Sequence, residues 1–406
     1  MSSKSTIDDK SKLGFRNVVM LGYVSLFTDL STEMILGVLP LFIVVDLGAS
    51  AAVLGLIEGV AEAVNYSFRV FAGVLSDRIG RRKSLVLLGY SLSSFAKPLF
   101  ALTASWGQAF AVRVVDRAGK GTRTSPRDAL ISDSVPKSES GKAFGTHRSM
   151  DQIGAVAGPL LAFALVPLIG IRGLFWVSFI PALVALMILL FFVKEKEGLK
   201  RQSNVFENAR AVFTRDFALL LVVLGVFSVG AYDFSFILLE ASAFGVQAYY
   251  IPLVYAFLNL ATVMIGLPIG ILADRIGKIP VLCFGYLLFL LTSLFAVLVG
   301  ANPLNALVIA FLFGSYLSVS ETVQRALIPD FTKAEFKGTA YALYYTLVGG
   351  CALVANSIFG ALWSSRGAAF AFQYSMITSA FGFVALLFFM IKKWRIVGPF
   401  SQAAPE

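Results

Sequence analysis

The sequence predicts an all-α membrane protein: twelve transmembrane helices in two six-helix bundles related as parallel repeats. Three observations carry that expectation. Hydrophobic residues make up 57% of the chain and charged ones 14%, against about a quarter charged in an average soluble domain, so polar groups are too few to cover a water-facing surface. The apolar residues come in long blocks, such as 18–45, 219–239 and 370–391, and a helix needs roughly 20 residues to cross a bilayer. Several features also return at one constant offset along the chain.

The spans follow in order at 17–46, 50–75, 84–104, 107–132, 142–168 and 171–193, then 216–240, 248–273, 280–299, 303–328, 338–363 and 368–391. Most of the 34 Lys and Arg lie in alternate connections and in the two terminal segments, and only Arg172 and Arg366 fall in the odd-numbered loops. That is the positive-inside pattern, which puts both termini in the cytoplasm. The net charge of +10 is therefore a topology signal and does not point to nucleic acid. The polar start 1–16 precedes an apolar block too long for a cleaved signal, so insertion without cleavage is expected. Cys283 and Cys351 both sit inside apolar segments, which excludes a disulfide framework.

The run Gly73-Val74-Leu75-Ser76-Asp77-Arg78-Ile79-Gly80 returns 197 positions later as Gly270-Ile271-Leu272-Ala273-Asp274-Arg275-Ile276-Gly277. At the same offset Ala129-Leu130-Ile131 with Asp133 returns as Ala326-Leu327-Ile328 with Asp330, and Gly141 returns as Gly338. The longest polar stretch falls between the copies. The expected organisation is a bundle over 1–193, a cytoplasmic linker over 194–215 and a second bundle over 216–406. Parallel repeats of this kind hold substrate near the membrane midplane, between the halves.

The loop from Gly73 to Lys83, with Asp77, Arg78, Gly80, Arg81 and Arg82, resembles the cytoplasmic signature between helices 2 and 3 of the major facilitator superfamily. The resemblance covers nearly the whole chain. It implies a conformational latch at Gly73, Asp77, Arg78, Gly80 and Arg81, with a weaker second copy at Asp274, Arg275 and Gly277. In span 4, Arg113-Val114-Val115-Asp116-Arg117-Ala118-Gly119 resembles the family's helix 4 motif, although Arg117 stands where glycine is common. In span 5, Gly154, Gly158 and Pro159 resemble the helix 5 motif of proton-coupled exporters, with Ala162 replacing a later glycine. The segment 120–151 is similar to that of a widespread group of bacterial facilitator proteins.

Ionisable groups at membrane depth are costly and mark pathways or pairs. In span 2, Glu58, Glu62, Asn65 and Arg69 fall on one helical stripe, which lines a pathway or pairs with another helix. Glu58 reads equally well as solvated near the outer surface. Arg113 and Arg117 share a face of span 4, as do Asp29 and Glu33 on span 1. Thr28-Asp29-Leu30-Ser31 parallels Tyr232-Asp233-Phe234-Ser235, so Asp29 and Asp233 are expected to face each other across the cavity, with structural pairing of Asp29 to a span 4 arginine as the alternative. Arg148 and Asp151 stand three apart, and Glu321 joins Gln324 and Arg325 in a polar island. His147, the single histidine, reads as structural or interfacial. Tyr341, Tyr344 and Tyr345 fit membrane packing, with stacking on an amphipathic substrate as the other use.

The expectation is a secondary active transporter working by alternating access, a proton-coupled antiporter exporting a small organic solute. Its pathway residues are Asp29, Glu33, Glu62, Asn65, Arg69, Arg113, Asp116, Arg117, Arg148, Asp151, Asp233 and Glu321. Moving one charge through the field is worth about 2.3 kcal/mol per 100 mV. The first alternative is an importer of an anionic or zwitterionic solute, such as a siderophore chelate or organic acid, held by the arginines. The second is a divalent-metal exporter with carboxylate ligands. The partners are small-molecule substrate, protons and the bilayer, without nucleic acid, cofactor or resident metal, and the working unit is a monomer in a bacterial inner membrane. Neither a nucleophile–base set nor a phosphate-binding loop is evident in the sequence, so an enzyme or an ATP-driven pump is not expected.

Overall fold

The computed structural model describes residues 2–195 and 212–397. Its helices are α1 (Ser2–Leu36), α2 (Ala51–Ile79), α3 (Arg82–Leu99), α4 (Trp106–Ser134), α5 (Ser140–Val177) and α6 (Phe179–Phe191), then α7a (Arg215–Gly230), α7b (Phe234–Ala243), α8 (Ile251–Ile276), α9 (Lys278–Leu298), α10 (Pro303–Leu327), α11 (Lys337–Arg366) and α12 (Ala368–Val397). Local sequence sets several starts. Ser50, Ser105 and Thr214 accept from the free amides of the first turns of α2, α4 and α7a, the usual service of a hydroxyl at an N-cap.

Among the described residues nine helical stretches are long and apolar enough to cross a membrane. One of them, Ser140–Phe191, runs for 52 residues and bends back at Gly170, whose φ of 68° only glycine adopts freely. It is long enough for two crossings. α2 and α4 each have 29 residues but carry the charged stripes. The architecture is consistent with twelve spans. Most of the linker expected at 194–215 lies outside the described residues.

The expected single span 216–240 is two helices. Gly230 ends α7a, and Asp233 caps α7b by accepting from the Ser235 amide at 2.9 Å. A break at membrane depth needs partners for the freed backbone groups. The side chains supply them: Asn356 Oδ1 accepts from the Asp233 amide at 2.8 Å, and Ser375 donates to the Gly230 carbonyl. Tyr232, between the two pieces, is buried among Phe289, Phe313, Phe359 and Phe372.

Small residues bring helices together in both halves, as at Gly314 against Leu258 in the second, but the buried charge and the aromatic core divide between them. In the first, a Cβ at Gly154 would lie 2.4 Å from the Leu26 carbonyl oxygen, and one at Gly158 would lie 2.8 Å from the Glu33 Cβ, so the small-residue motif brings α5 onto α1. The buried charged side chains Glu58, Lys97, Arg113, Asp116, Arg117 and Arg123 all lie in this half, whereas Glu240 lies in the second. The second half is held by an aromatic core that includes Phe227, Tyr286, Phe289 and Tyr316.

The halves meet along α2 with α11 and α5 with α8. At the end away from the basic loops they are in tight contact: the Ala52 amide donates to Ser364 Oγ at 2.8 Å, and Phe163 stacks on Tyr250. Toward the basic end, Cβ atoms added at Gly145 of α5 or Gly270 of α8 would meet nothing within 4 Å. The tightest glycine contacts between α2 and α11, at Gly55 and Gly360, also lie at the end away from the basic loops.

In the signature loop Gly80 caps α2 with φ 72°, and a Cβ at Gly73 would touch Ser125. Arg82 binds Asp133 at 2.7 Å and lies 3.9 Å from Asp77, while Arg78 and Arg81 are exposed. In the second copy Asp274, Arg275 and Gly277 are exposed, and Lys278 binds Asp330 at 2.6 Å. The repeated acids Asp133 and Asp330 thus anchor the loop signature in each half. Glu195 adds a third anchor by accepting from the Arg82 and Lys83 amides at 3.0 Å. A carboxylate there completes the α3 N-terminus and complements its dipole. Glu195→Ala is expected to cost about 0.5–1 kcal/mol, and Glu195→Gln less, read as small shifts of the melting temperature in detergent. Equal melting of all three proteins would remove this anchor.

Candidate functional site

The charged stripe of α2 turns toward α4. Arg113 Nη2 meets Glu58 Oε2 at 2.6 Å, with Nε at 3.2 Å, and both side chains are 1% exposed. One turn further, Arg117 lies 3.5 Å from Glu62, so equal i,i+4 spacings on two helices make a two-rung ladder. Asp116 extends it, 3.6 Å from Arg113 and accepting from Ser93 Oγ at 2.6 Å. Asn65 donates to Glu62 at 3.0 Å. A Cβ at Gly121 would lie 2.3 Å from the Asn65 carbonyl oxygen, so this glycine lets the helices come close enough for the rungs to form. Glu58, read from sequence as equally able to be solvated, is fully buried. Arg69, the last member of the stripe, leaves the ladder and lies 4.8 Å over Tyr345 of α11, which stacks on Tyr66.

The acids of α1 face elsewhere. Asp29 and Asp151 on α5 act on each other electrostatically, and a hydrogen bond between two carboxyls needs one of them to carry a proton. Asp151 also accepts from Ser25 at 2.7 Å and from Arg148 at 3.0 Å. The α4 side chain in electrostatic range of Asp29 is Lys120, and the alternative reading, a pair with a span 4 arginine, has no ion pair behind it among the described residues. Arg148 stands 3.9 Å from Glu321 across the gap, and Glu321 also holds Arg325. His147 is buried on the far side of α5, in electrostatic range of Arg127.

Glu33 belongs to both halves. Its Oε2 accepts from Tyr255 Oη at 2.6 Å and from Asn259 Nδ2 at 3.4 Å, both on α8. Asn259 also donates to the Ala155 carbonyl of α5 at 2.8 Å. Asp233 sits at the α7 break, and its electrostatic neighbours in the first half are Glu58, Glu62 and Arg117 rather than Asp29. Tyr341 and Tyr344 donate to the Arg325 carbonyl and to Gln324.

Sequence reasoning passed over Lys97, Tyr255, Asn259 and Asn356. Lys97 is 1% exposed and reaches the Thr28 carbonyl at 3.4 Å. A lysine inside an apolar span was itself the signal. Tyr255 and Asn259, one turn apart in an apolar helix, carried a weaker one.

Comparison with known proteins adds to this geometry. The model of the Major Facilitator Superfamily matches residues 21–354 and 224–399. An uncharacterized MFS-type transporter of Methanocaldococcus jannaschii is 32% identical over 357 residues, covering 86% of this chain and 88% of that one. The multidrug resistance protein MdtG of Proteus mirabilis is 28% identical over 284 residues, covering 66% and 70%. Among solved structures, a POT family transporter in complex with 5-aminolevulinic acid aligns with a TM-score of 0.78 at 14% identity, covering 94% of this chain and 97% of that one. A variant of the nucleoside transporter NupG aligns with a TM-score of 0.76 at 12% identity, covering 92% and 99%. At such identities the structures share the fold alone.

Proposed function

The chain belongs to the Major Facilitator Superfamily and is a multi-pass membrane transporter for a small molecule, and from that premise we propose that it is a proton-coupled antiporter exporting a small organic solute. One observation carries the reading. Arg113, Arg117 and Arg148 each meet a carboxylate, while Glu33, at the junction of the halves, accepts from neutral donors and Asp29 lies beside another carboxyl, with Lys120 in electrostatic range of both. An importer of anionic solutes needs guanidinium groups aimed into the cavity; three of the four arginines named from the sequence meet carboxylates, and the fourth, Arg69, lies over Tyr345. Among the described residues no group of three or more His, Cys, Asp or Glu is arranged to hold a metal ion, which gives the divalent-metal reading no support. The likeness to a multidrug resistance protein agrees with export.

In this reading the basic loops and both termini face the cytoplasm of a bacterial inner membrane, and the described state is open inward. The Asp29–Asp151 contact carries the proton, the ladder of α2 and α4 keeps the first half rigid, and the paired loops between α2 and α3 and between α8 and α9 latch the states. The bundles are 1–193 and 216–406, and the monomer is the working unit. The test is flux in proteoliposomes under an imposed pH gradient, screening amphipathic amines, antibiotics and organic acids. Wild type should respond to the gradient. Asp29→Asn should lose gradient-driven flux at least tenfold while keeping substrate–substrate exchange. Gradient-driven flux surviving intact in Asp29→Asn would sink proton coupling at this site.

A further inference from the structure

Glu33 is a carboxylate held between two halves that must separate, and its donors are uncharged. Tyr255 Oη and Asn259 Nδ2 converge on one oxygen, Oε2. The Glu33 Cβ packs 2.8 Å from where a Cβ on Gly158 would stand, so α5 holds the stem of the side chain. Tyr255 is equally fixed: its ring stacks on Phe234 at 4.9 Å and lies 3.3 Å from the position of a Cβ on Gly37. Asn259 has a second acceptor in the Ala155 carbonyl at 2.8 Å, shorter than its bond to Glu33, so it can release the carboxylate without losing all its hydrogen bonding.

Neutral donors only partly offset the cost of burying a carboxylate. A hydrogen bond between two charged groups is shorter and about twice as strong as one between neutral groups. A protonated amine therefore displaces a phenol and an amide from Oε2. The phenol of Tyr255 points its edge at the carboxylate, and its ring is held by stacking on Phe234 at 4.9 Å. The exchange also loosens α8 from α1, because Tyr255 and Asn259 are α8 groups and Glu33 is on α1, while Asn259 keeps its bond to Ala155 of α5.

We propose that Glu33 docks the protonated amine of an organic cation, with Tyr255 and Asn259 as resident placeholders that the substrate displaces, so that binding itself releases α8 from α1. This rests on the export reading of the same site and names its substrate class: amphipathic amines with N–H donors, in preference to quaternary ammonium ions of the same shape. The placeholders keep an empty carrier closed at the midplane, and only a ligand able to out-donate them opens it.

The test is binding of the fluorescent primary amine dansylcadaverine, and of its trimethylammonium analogue, to the purified full chain in detergent. Tyr255→Phe removes one competitor and should tighten dansylcadaverine binding about fivefold, the size of one net hydrogen bond. Glu33→Gln, which keeps an acceptor for Tyr255 and so keeps the fold, should weaken it at least tenfold. The quaternary analogue should bind wild type more weakly than the amine. Unchanged or weaker binding in Tyr255→Phe overturns the exchange, and equal binding of amine and quaternary analogue overturns the donor requirement. Gradient-driven flux of another solute with no amine binding would end this inference and leave the export reading standing. Amine binding of the expected pattern without gradient-driven flux would do the reverse.

Discussion

Replacing Gly55 with leucine abolishes transport while leaving the protein folded, if the contact between α2 and α11 is a closure that opens and shuts in each cycle. A Cβ at Gly55 would lie 2.2 Å from the Asn356 carbonyl oxygen and 3.2 Å from Gly360 Cα. One at Gly360 would lie 2.4 Å from the Ala51 carbonyl oxygen. These neighbours are backbone, which cannot swing aside, and they all belong to the opposite half. Packing within each bundle is untouched, so folding proceeds and only the shut state is lost. Gly360→Leu should behave alike. Gly59→Ala should be milder, because its nearest neighbour, the Leu353 carbonyl oxygen, is 3.0 Å away. The expected readings in Gly55→Leu are flux at background and a melting temperature close to wild type. A cysteine introduced at Ala63, beside Gly349 at the same contact, should react faster with an impermeant maleimide added from the side away from the basic loops. Normal flux in Gly55→Leu and Gly360→Leu would show that the contact is a fixed joint.

The fold was legible because its signals are long and redundant. A stretch of some 20 apolar residues has few alternatives to a spanning helix, and a 197-residue offset shared by Gly73, Asp133 and Gly141 with their copies leaves little freedom of topology. The breaks were less legible. In 216–240 the local signals for a stop are only Gly230 and the cap Asp233, and the interruption at Ala231 to Asp233 depends on Asn356 and Ser375, more than 120 residues away, to satisfy its backbone. The charge pattern was half legible. Equal spacings of Glu58 with Glu62 and Arg113 with Arg117 put each pair on a face, but which face looks at α4 and which at the cavity follows from the close approach at Gly121. Asp29 was matched to Asp233 by a four-residue likeness, and in the structure different groups act on the two, Asp151 and Glu33 on Asp29 and Glu58 and Glu62 on Asp233. The site's cross-half donors, Tyr255 and Asn259, were hidden because a tyrosine and an asparagine in an apolar span look like ordinary packing until their partner is known.

Arg113→Ala is expected to be the most damaging single change in the first half. It leaves Glu58 buried at 1% exposure with its cationic partner gone, and Glu58 Oε1 already has no partner among the described residues. Breaking a buried pair from one side costs about 3–5 kcal/mol, a large share of the roughly 5–15 kcal/mol that holds a typical protein together. Glu58→Gln should cost less, because Asp116 remains 3.6 Å from the guanidinium. The instructive variant is the double Glu58→Leu, Arg113→Met. Removing both charges together removes the desolvation cost along with the attraction, and such replacements are often near neutral. If the rung is a brace between α2 and α4, the double variant should melt close to wild type, well above Arg113→Ala, and keep most gradient-driven flux. A double variant that melts normally but carries no flux would move Arg113 from the brace into the translocation pathway. One that melts as low as Arg113→Ala would mean that the charges themselves, and not the filled volume, hold the two helices together. The brace reading makes a further demand on geometry. Arg117, in the next rung of the same ladder, meets at 3.5 Å a Glu62 whose side chain is 20% exposed rather than a fully buried acid, so Arg117→Ala should lower flux more than it lowers the melting temperature, the opposite order to Arg113→Ala.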